Sequence, residues 1–256
     1  MSLSTELKPR RIPAAALRRK TARIARLLEL HLGIPEKRIH PPEPLEMLVA
    51  TILSQNTNDK NSHRAYTELR RRFPSWELVA AARPASLRSA IRTGGMASQK
   101  SARIRETLRA VHRRYGKYDL SPLRRKSNER IIEELTGLNG VGAKTAACVL
   151  LFSLGRDVFP VDTHVHRLCT RLGLAPGSKS PERTYVAMKA LVPPGKGHSF
   201  HTNLIRFGRA VCRSSNPRCD DCPLYAQCRF EGKTASKGLR HVPSRADHDF
   251  MLLDNV

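Results

Sequence analysis

The sequence predicts an all-α chain. Apolar residues recur at three- and four-residue spacing in successive segments, no segment alternates convincingly with period two, and the Asn139-Gly140 pair lies between helical patterns, not strands. Residues 1–15, with Lys8, Pro9, Arg10, Arg11 and Pro13, read as a flexible basic arm. From about Ala14, the positions Leu17, Ile24, Leu27, Leu28 and Leu32 mark a helix that stops before Pro35. Pro41, Pro42 and Pro44 form a bend. After it, Leu45, Leu48, Val49, Ile52 and Leu53 draw one broad buried stripe, and the helix closes on the polar strip SQNTND.

Further helical patterns occupy about 60–73, 75–82, 86–92 and 98–115, with the pair Gly94-Gly95 stopping one of them and opening a loop. Ser127 caps a helix running through Leu135, Asp162 caps one ending at Gly173, and Ser180-Pro181-Glu182 starts a third. A last helix runs from about Ser199 to Val211. At this length the chain holds one large domain or two small ones without covalent staples.

The chain carries 46 Lys+Arg against 22 Asp+Glu, a net charge of +24 spread over its whole length, which calls for a polyanionic partner and a salt-sensitive encounter with it. No run of apolar residues is long enough for a transmembrane helix, so no membrane role is expected. Of the six cysteines, Cys148 and Cys169 sit in apolar segments and four cluster near the C-terminus, without a preceding signal peptide, a pattern of a reducing compartment and not of a disulfide scaffold.

Those four, Cys212, Cys219, Cys222 and Cys228, follow C-x6-C-x2-C-x5-C, with Arg213, Arg218 and Arg229 among them. Thiolates this close in sequence converge on one centre. Four of them suit an iron–sulfur cluster, and tetrahedral zinc stays open as the alternative, although zinc folds more often use two short knuckles.

The segment LTGLNGVGAKTAACVLLFSLG, residues 135–155, stops one helix, turns at Gly140, Val141 and Gly142, and starts another at about Ala143. Its glycines allow close approach, and amides at a helix start suit a phosphate; alone, the segment is equally an ordinary helix–turn–helix corner. Lys144 lies in the first turn of the second helix, where the dipole disfavours a charged amine, although a lysine of a basic protein is most often a solvated charge. Eighteen residues on, Asp162 in VFPVDTHVHRLC is an N-cap by position and, beside a basic cleft, a carboxylate able to take a proton or to stabilise a cationic sugar. His164 and His166 are as much structural or phosphate-facing as catalytic.

Together and in this order, LNGVGAKTA, VDTH and the cysteine array resemble the endonuclease III branch of the helix–hairpin–helix DNA glycosylases, over roughly residues 16–230. The resemblance implies two domains: a six-helix domain at 39–156, and a discontinuous domain at 16–38 and 157–230 that holds a [4Fe–4S] cluster on Cys212, Cys219, Cys222 and Cys228, with a tail at 231–256 outside both. The active site falls between them. The implied activity is a bifunctional DNA glycosylase/AP lyase of base excision repair acting as a monomer on double-stranded DNA with a damaged base, an oxidised pyrimidine by family, or an abasic site. Lys144 takes the nucleophile's place and Asp162 that of the catalytic aspartate. Gly140, Val141, Gly142, His164, Arg213 and Arg218 are the expected DNA contacts. Asn56 aligns where a glutamine fills the gap left by the flipped base and Gln55 stands one place earlier, so both are candidates for that wedge. Met96 matches an apolar residue that enters the opposite strand's stack.

Asn139 departs from the proline usual in that hairpin. A monofunctional mismatch glycosylase is the first alternative; it lacks a lysine at this position and places a glutamate where Ala50 and Thr51 stand. A non-catalytic iron–sulfur DNA-binding module is the second, and Lys144 with Asp162 at family spacing argues against it. The expected address is the bacterial cytoplasm at the nucleoid, or the nucleus or mitochondrion of a eukaryote.

Overall fold

The computed structural model describes residues 12–234, so most of the expected arm and tail lie outside the described residues. Among these no strand occurs, and eleven α-helices follow one another: α1 (Ala14–Leu32), α2 (Pro44–Ser54), α3 (Asp59–Arg72), α4 (Trp76–Ala81), α5 (Pro84–Ala90), α6 (Ala97–Tyr115), α7 (Asn128–Thr136), α8 (Ala143–Cys148), α9 (Thr163–Arg171), α10 (Pro181–Lys189) and α11 (Gly197–Ala210). α8 continues as a single π-type turn over Val149–Ser153. The all-α expectation holds.

The helix starts are set by local chemistry. The side chains of Ser127, Asp162 and Ser180 accept from the amides of Arg130, Val165 and Arg183, each satisfying an otherwise orphaned donor. Asn58 and Ser75 do the same for α3 and α4, and Glu43 with Glu46 closes a capping box on α2. α6 ends on Gly116 at φ 70°, whose amide reaches back to His112 O at 2.8 Å. α5 starts at Pro84, earlier than its periodicity suggests, because proline is favoured in a first turn.

Buried apolar side chains fall into two clusters. The first runs from Leu45 to Leu150 and is built by α2 to α8. α2 lies at its centre and buries nine of its eleven residues, more than the single stripe expected, because α3, α6 and α8 all pack on it. The second cluster joins Ile24, Ala25 and Leu28 of α1 to residues from Phe159 through Leu224 of α9, α10, α11 and the cysteine segment. α1 therefore packs with helices more than a hundred residues away, against α11, where Glu29 takes hydrogen bonds from Lys196 at 2.9 Å and Ser199 at 2.6 Å.

Glu134 of α7 is the main buried carboxylate of the first cluster. Tyr115, Lys126, Arg114 and Arg130 surround it at 2.7 to 3.2 Å, and their hydrogen bonds and charges outweigh burial, holding its pKa below the ordinary carboxylate range. Because α1 completes the second cluster from a distance in sequence, Leu28→Ala is expected to lower global stability by about 2–5 kcal/mol. Urea denaturation checks this; a midpoint unchanged from wild type would show that α1 is not part of the cooperative core.

Candidate active site

The chain passes from the first cluster to the second between Ser153 and Phe159, and a cleft of about 510 Å³ opens at this junction. One wall comes from α2 with Met47, Ala50, Thr51 and Ser54, the other from α9 and α11 with His164, His201, Ile205 and Arg209. Lys144, Cys148 and Phe152 descend into it from α8, and Asp162 faces them from the start of α9. The structure thus places the lysine and the aspartate in one cavity. α2 contributes no carboxylate to it: Ala50 and Thr51 occupy the places where a glutamate would stand.

Lys144 is half-buried, and its amine lies near enough to the Cys148 thiol one turn along to favour the thiolate. Burial raises the Cys148 pKa against the pull of that amine, keeping the group a neutral thiol. Asp162 is the N-cap that its position predicts, and it lines the cleft. Its Oδ1 accepts from Val165 N at 2.7 Å as an N-cap, and that bond fixes the carboxylate at the cleft. Of the other lining carboxylates, Asp59 is paired with Arg209 at 2.5 Å, a link from α3 to α11, and Glu182 is exposed.

Two histidines line the cavity. Arg167 Nη2 donates to His164 Nδ1 at 3.1 Å, so the remaining proton sits on Nε2, and burial with the charges of Arg167 and Arg209 lowers its pKa. His201 is almost wholly buried between Phe152 and Phe159, and its Nδ1 donates to Pro160 O at 2.9 Å, two residues before Asp162. Burial drives its pKa down to about 4. No local signal marks His201 or Cys148; their part in the cleft comes only from the folding of α8 and α11 around it.

At the hairpin, Gly140 adopts φ 77°, and a Cβ there would approach the Arg103 side chain to 2.7 Å. Val141 packs into the first cluster, which leaves the exposed Gly142 to present backbone. Arg103 also donates to Gln55 Oε1 at 2.9 Å, and Gln55 Nε2 donates to Gly140 O at 3.3 Å. Gln55 is thereby tied back to the hairpin. Asn56 is exposed, at φ 51°, and its amide donates to Met96 Sδ at 3.6 Å; Met96 is itself left-handed at φ 49°. The structure thus brings together the two tips that the sequence placed in separate loops.

The four clustered cysteines are half-buried and free, and Cys212, Cys222 and Cys228 pack against the second core. Burial and the other three sulfurs push the Cys222 thiol up to about 12. Arg171 Nη1 donates to Cys212 Sγ and Phe230 N to Cys228 Sγ, each at 3.4 Å. Among the described residues no three His, Cys, Asp or Glu side chains are arranged to hold one metal ion. The donor set, four soft thiols with N–H groups aimed at sulfur, fits a multi-iron cluster in which each thiolate binds its own iron. Arg213 and Arg218 are exposed, and Arg218 pairs with Asp221 at 2.5 Å.

The HhH-GPD superfamily base excision DNA repair proteins match residues 49–194. Endonuclease III of Thermotoga maritima is 34% identical over 203 residues, covering 79% of this chain and 91% of that protein. The chain belongs to the endonuclease III family. Endonuclease III of Bacillus subtilis is 31% identical over 77% of this chain and 85% of its own length. A trapped endonuclease III–DNA covalent intermediate superposes with a TM-score of 0.70 at 26% identity, covering 86% of this chain and 97% of that one. As an endonuclease III homologue in a base excision repair family, the protein is a DNA glycosylase/AP lyase. No helix among the described residues is long and apolar enough to cross a membrane.

Gly140→Ala is expected to cost about 1–2 kcal/mol from its left-handed backbone alone, and to displace Arg103 as well; thermal unfolding and duplex affinity check it, and an unperturbed variant would refute the tight turn. His201 binds its proton more weakly in the folded chain than in the unfolded one. Stability is therefore full above the ordinary histidine range and declines as pH falls from about 6.5 towards 4, with a one-proton slope of at most about 1.4 kcal/mol per pH unit. His201→Gln should flatten that slope by one proton, leaving the smaller shifts of His164 and His198. An unchanged pH profile would overturn the assignment.

Proposed function

We propose that the cleft receives a damaged base flipped out of duplex DNA, and that Lys144 and Asp162 carry out its excision and the cutting of the strand. The observation that carries this reading is the meeting of that amine and that carboxylate in one cavity, from the starts of two helices. Extraction is needed because the anomeric carbon is unreachable within the stack, and lesions that stack poorly cost less to extract. Neutral Lys144 Nζ attacks C1′, the glycosidic bond breaks, the base leaves with a proton, and the opened sugar remains as an imine on the lysine. Asp162 accepts a proton from the lysine and stabilises the positive charge of the sugar. The imine acidifies C2′; loss of a C2′ proton expels the 3′ phosphate by β-elimination, and water then releases an unsaturated aldehyde and the free amine.

Asn56 is the wedge that fills the vacated stack, since Gln55 is engaged with Arg103 and Gly140, and Met96 enters beside the orphaned base. Gly140, Val141 and Gly142 present hairpin backbone to a phosphate, His164 donates Nε2–H into the cleft, and Arg213 and Arg218 meet the DNA backbone. Cys212, Cys219, Cys222 and Cys228 hold a [4Fe–4S] cluster, which when bound fixes the loop carrying those arginines. Residues 39–156 form one domain and residues 16–38 with 157–230 the other, a division supported by the two buried clusters. The substrate class is an oxidised pyrimidine, and the enzyme acts as a monomer, in the cytoplasm at the nucleoid of a bacterium or in the nucleus or mitochondrion of a eukaryote.

Borohydride should trap a covalent adduct of the wild-type protein with abasic duplex DNA and none with Lys144→Gln. Equal trapping by the variant would remove Lys144 from the nucleophile's role. With so basic a chain, the logarithm of duplex affinity should also fall linearly and steeply with the logarithm of salt concentration, and affinity indifferent to salt would contradict the electrostatic account.

A further inference from the structure

Lys100, the last residue of the GGMASQK loop segment, is only 2% exposed, which is rare for a lysine. No carboxylate hydrogen-bonds to it. Its Nζ instead donates to two main-chain carbonyls, Leu53 O and Gly94 O, at 2.7 Å each. Both acceptors lie at helical ends. Leu53 is in the last turn of α2 and Gly94 closes the 3-10 turn Arg92–Gly94, so each carbonyl lacks an intrahelical donor and sits at the negative end of a dipole. The two segments lie close, since a Cβ added at Gly94 would come within 3.8 Å of Leu53 O.

Each carbonyl is followed within three residues by a strained tip: Asn56 three residues after Leu53, and Met96 two after Gly94. Left-handed conformations in non-glycine residues persist only where the surroundings over-determine them. The Lys100 ammonium ties the two segments together at these carbonyls, while its amide makes the first-turn bond of α6 to Met96 O at 3.0 Å. We propose that Lys100 is a positioning residue that locks Asn56 and Met96 into one bipartite wedge, so that both strands of the duplex are engaged in a single fixed register. This rests on the reading of Asn56 and Met96 as the gap-filling tips. Burial, with the charge of Arg103, lowers the lysine's pKa to about 8. A methionine would fill the same volume without that desolvation, but would leave both carbonyls without their donor.

The test is a mutant cycle: the full chain, Lys100→Met, the tipless double variant Asn56→Ala/Met96→Ala, and the triple. Each is assayed for excision of thymine glycol from duplex DNA and for borohydride trapping at a preformed abasic site, with 2-aminopurine opposite the lesion reporting unstacking. Lys100→Met should lower excision about tenfold to a hundredfold and blunt the fluorescence rise, while trapping changes by less than about threefold, because an abasic site has no base to extract. In the tipless background Lys100→Met should have no further effect. An equal loss of excision in both backgrounds, or a parallel loss of trapping, overturns the inference while leaving the tips' role intact. A tipless variant that excises normally removes the wedge reading and the inference with it. If Lys100→Met does not fold, Lys100→Gln, which keeps two N–H donors without the charge, takes its place in the same cycle.

Discussion

The crossover from Ser153 to Phe159 sets the geometry of the cleft. Upstream, α8 is anchored in one apolar cluster by Ala146, Val149 and Leu150; downstream, Phe159, Val161 and Val165 are anchored in the other. Lys144 and Asp162 stand on the two sides of this passage, so their separation is set by how the clusters meet. Two cross-links hold the meeting in place: His201 of α11 fastened to Pro160 O, and the Arg209–Asp59 pair spanning to α3. Two side chains built on the ends of packed helices are held more accurately than two on loops.

Most polar groups of the cleft already have a partner within the protein. Asp162 gives one oxygen to its own helix cap, Asp59 is occupied by Arg209, and His164 and His201 each have one ring nitrogen engaged in a hydrogen bond that sets the tautomer. Burial keeps both imidazoles neutral near physiological pH, so neither adds a cation beside Lys144.

Much of this was legible in the sequence, and the boundary of legibility has a physical cause. Caps, helix stops and hairpin glycines act over three to five residues, which is why Ser127, Asp162, Ser180 and Gly140 could be read directly. The polar strip SQNTND could not distinguish Gln55 from Asn56, because the distinction is made by Arg103, 48 residues away. His201, Cys148 and Lys100 likewise gain their positions from helices remote in the chain, and Arg218 meets an acidic partner that a count of basic residues does not reveal. Local rules fix elements; the cleft is a long-range product.

One face of α6 carries the hairpin through Arg103 at Gly140 and Glu106 at Asn139, the polar strip through Arg103 at Gln55, and the Met96 loop through Lys100. Three segments separated in sequence are thereby mounted on one rigid rod. A surface assembled in advance loses little conformational freedom when it meets its ligand. If this is the surface that meets DNA, as proposed, a protein that must inspect many intact base pairs for each damaged one needs no folding step at each of them.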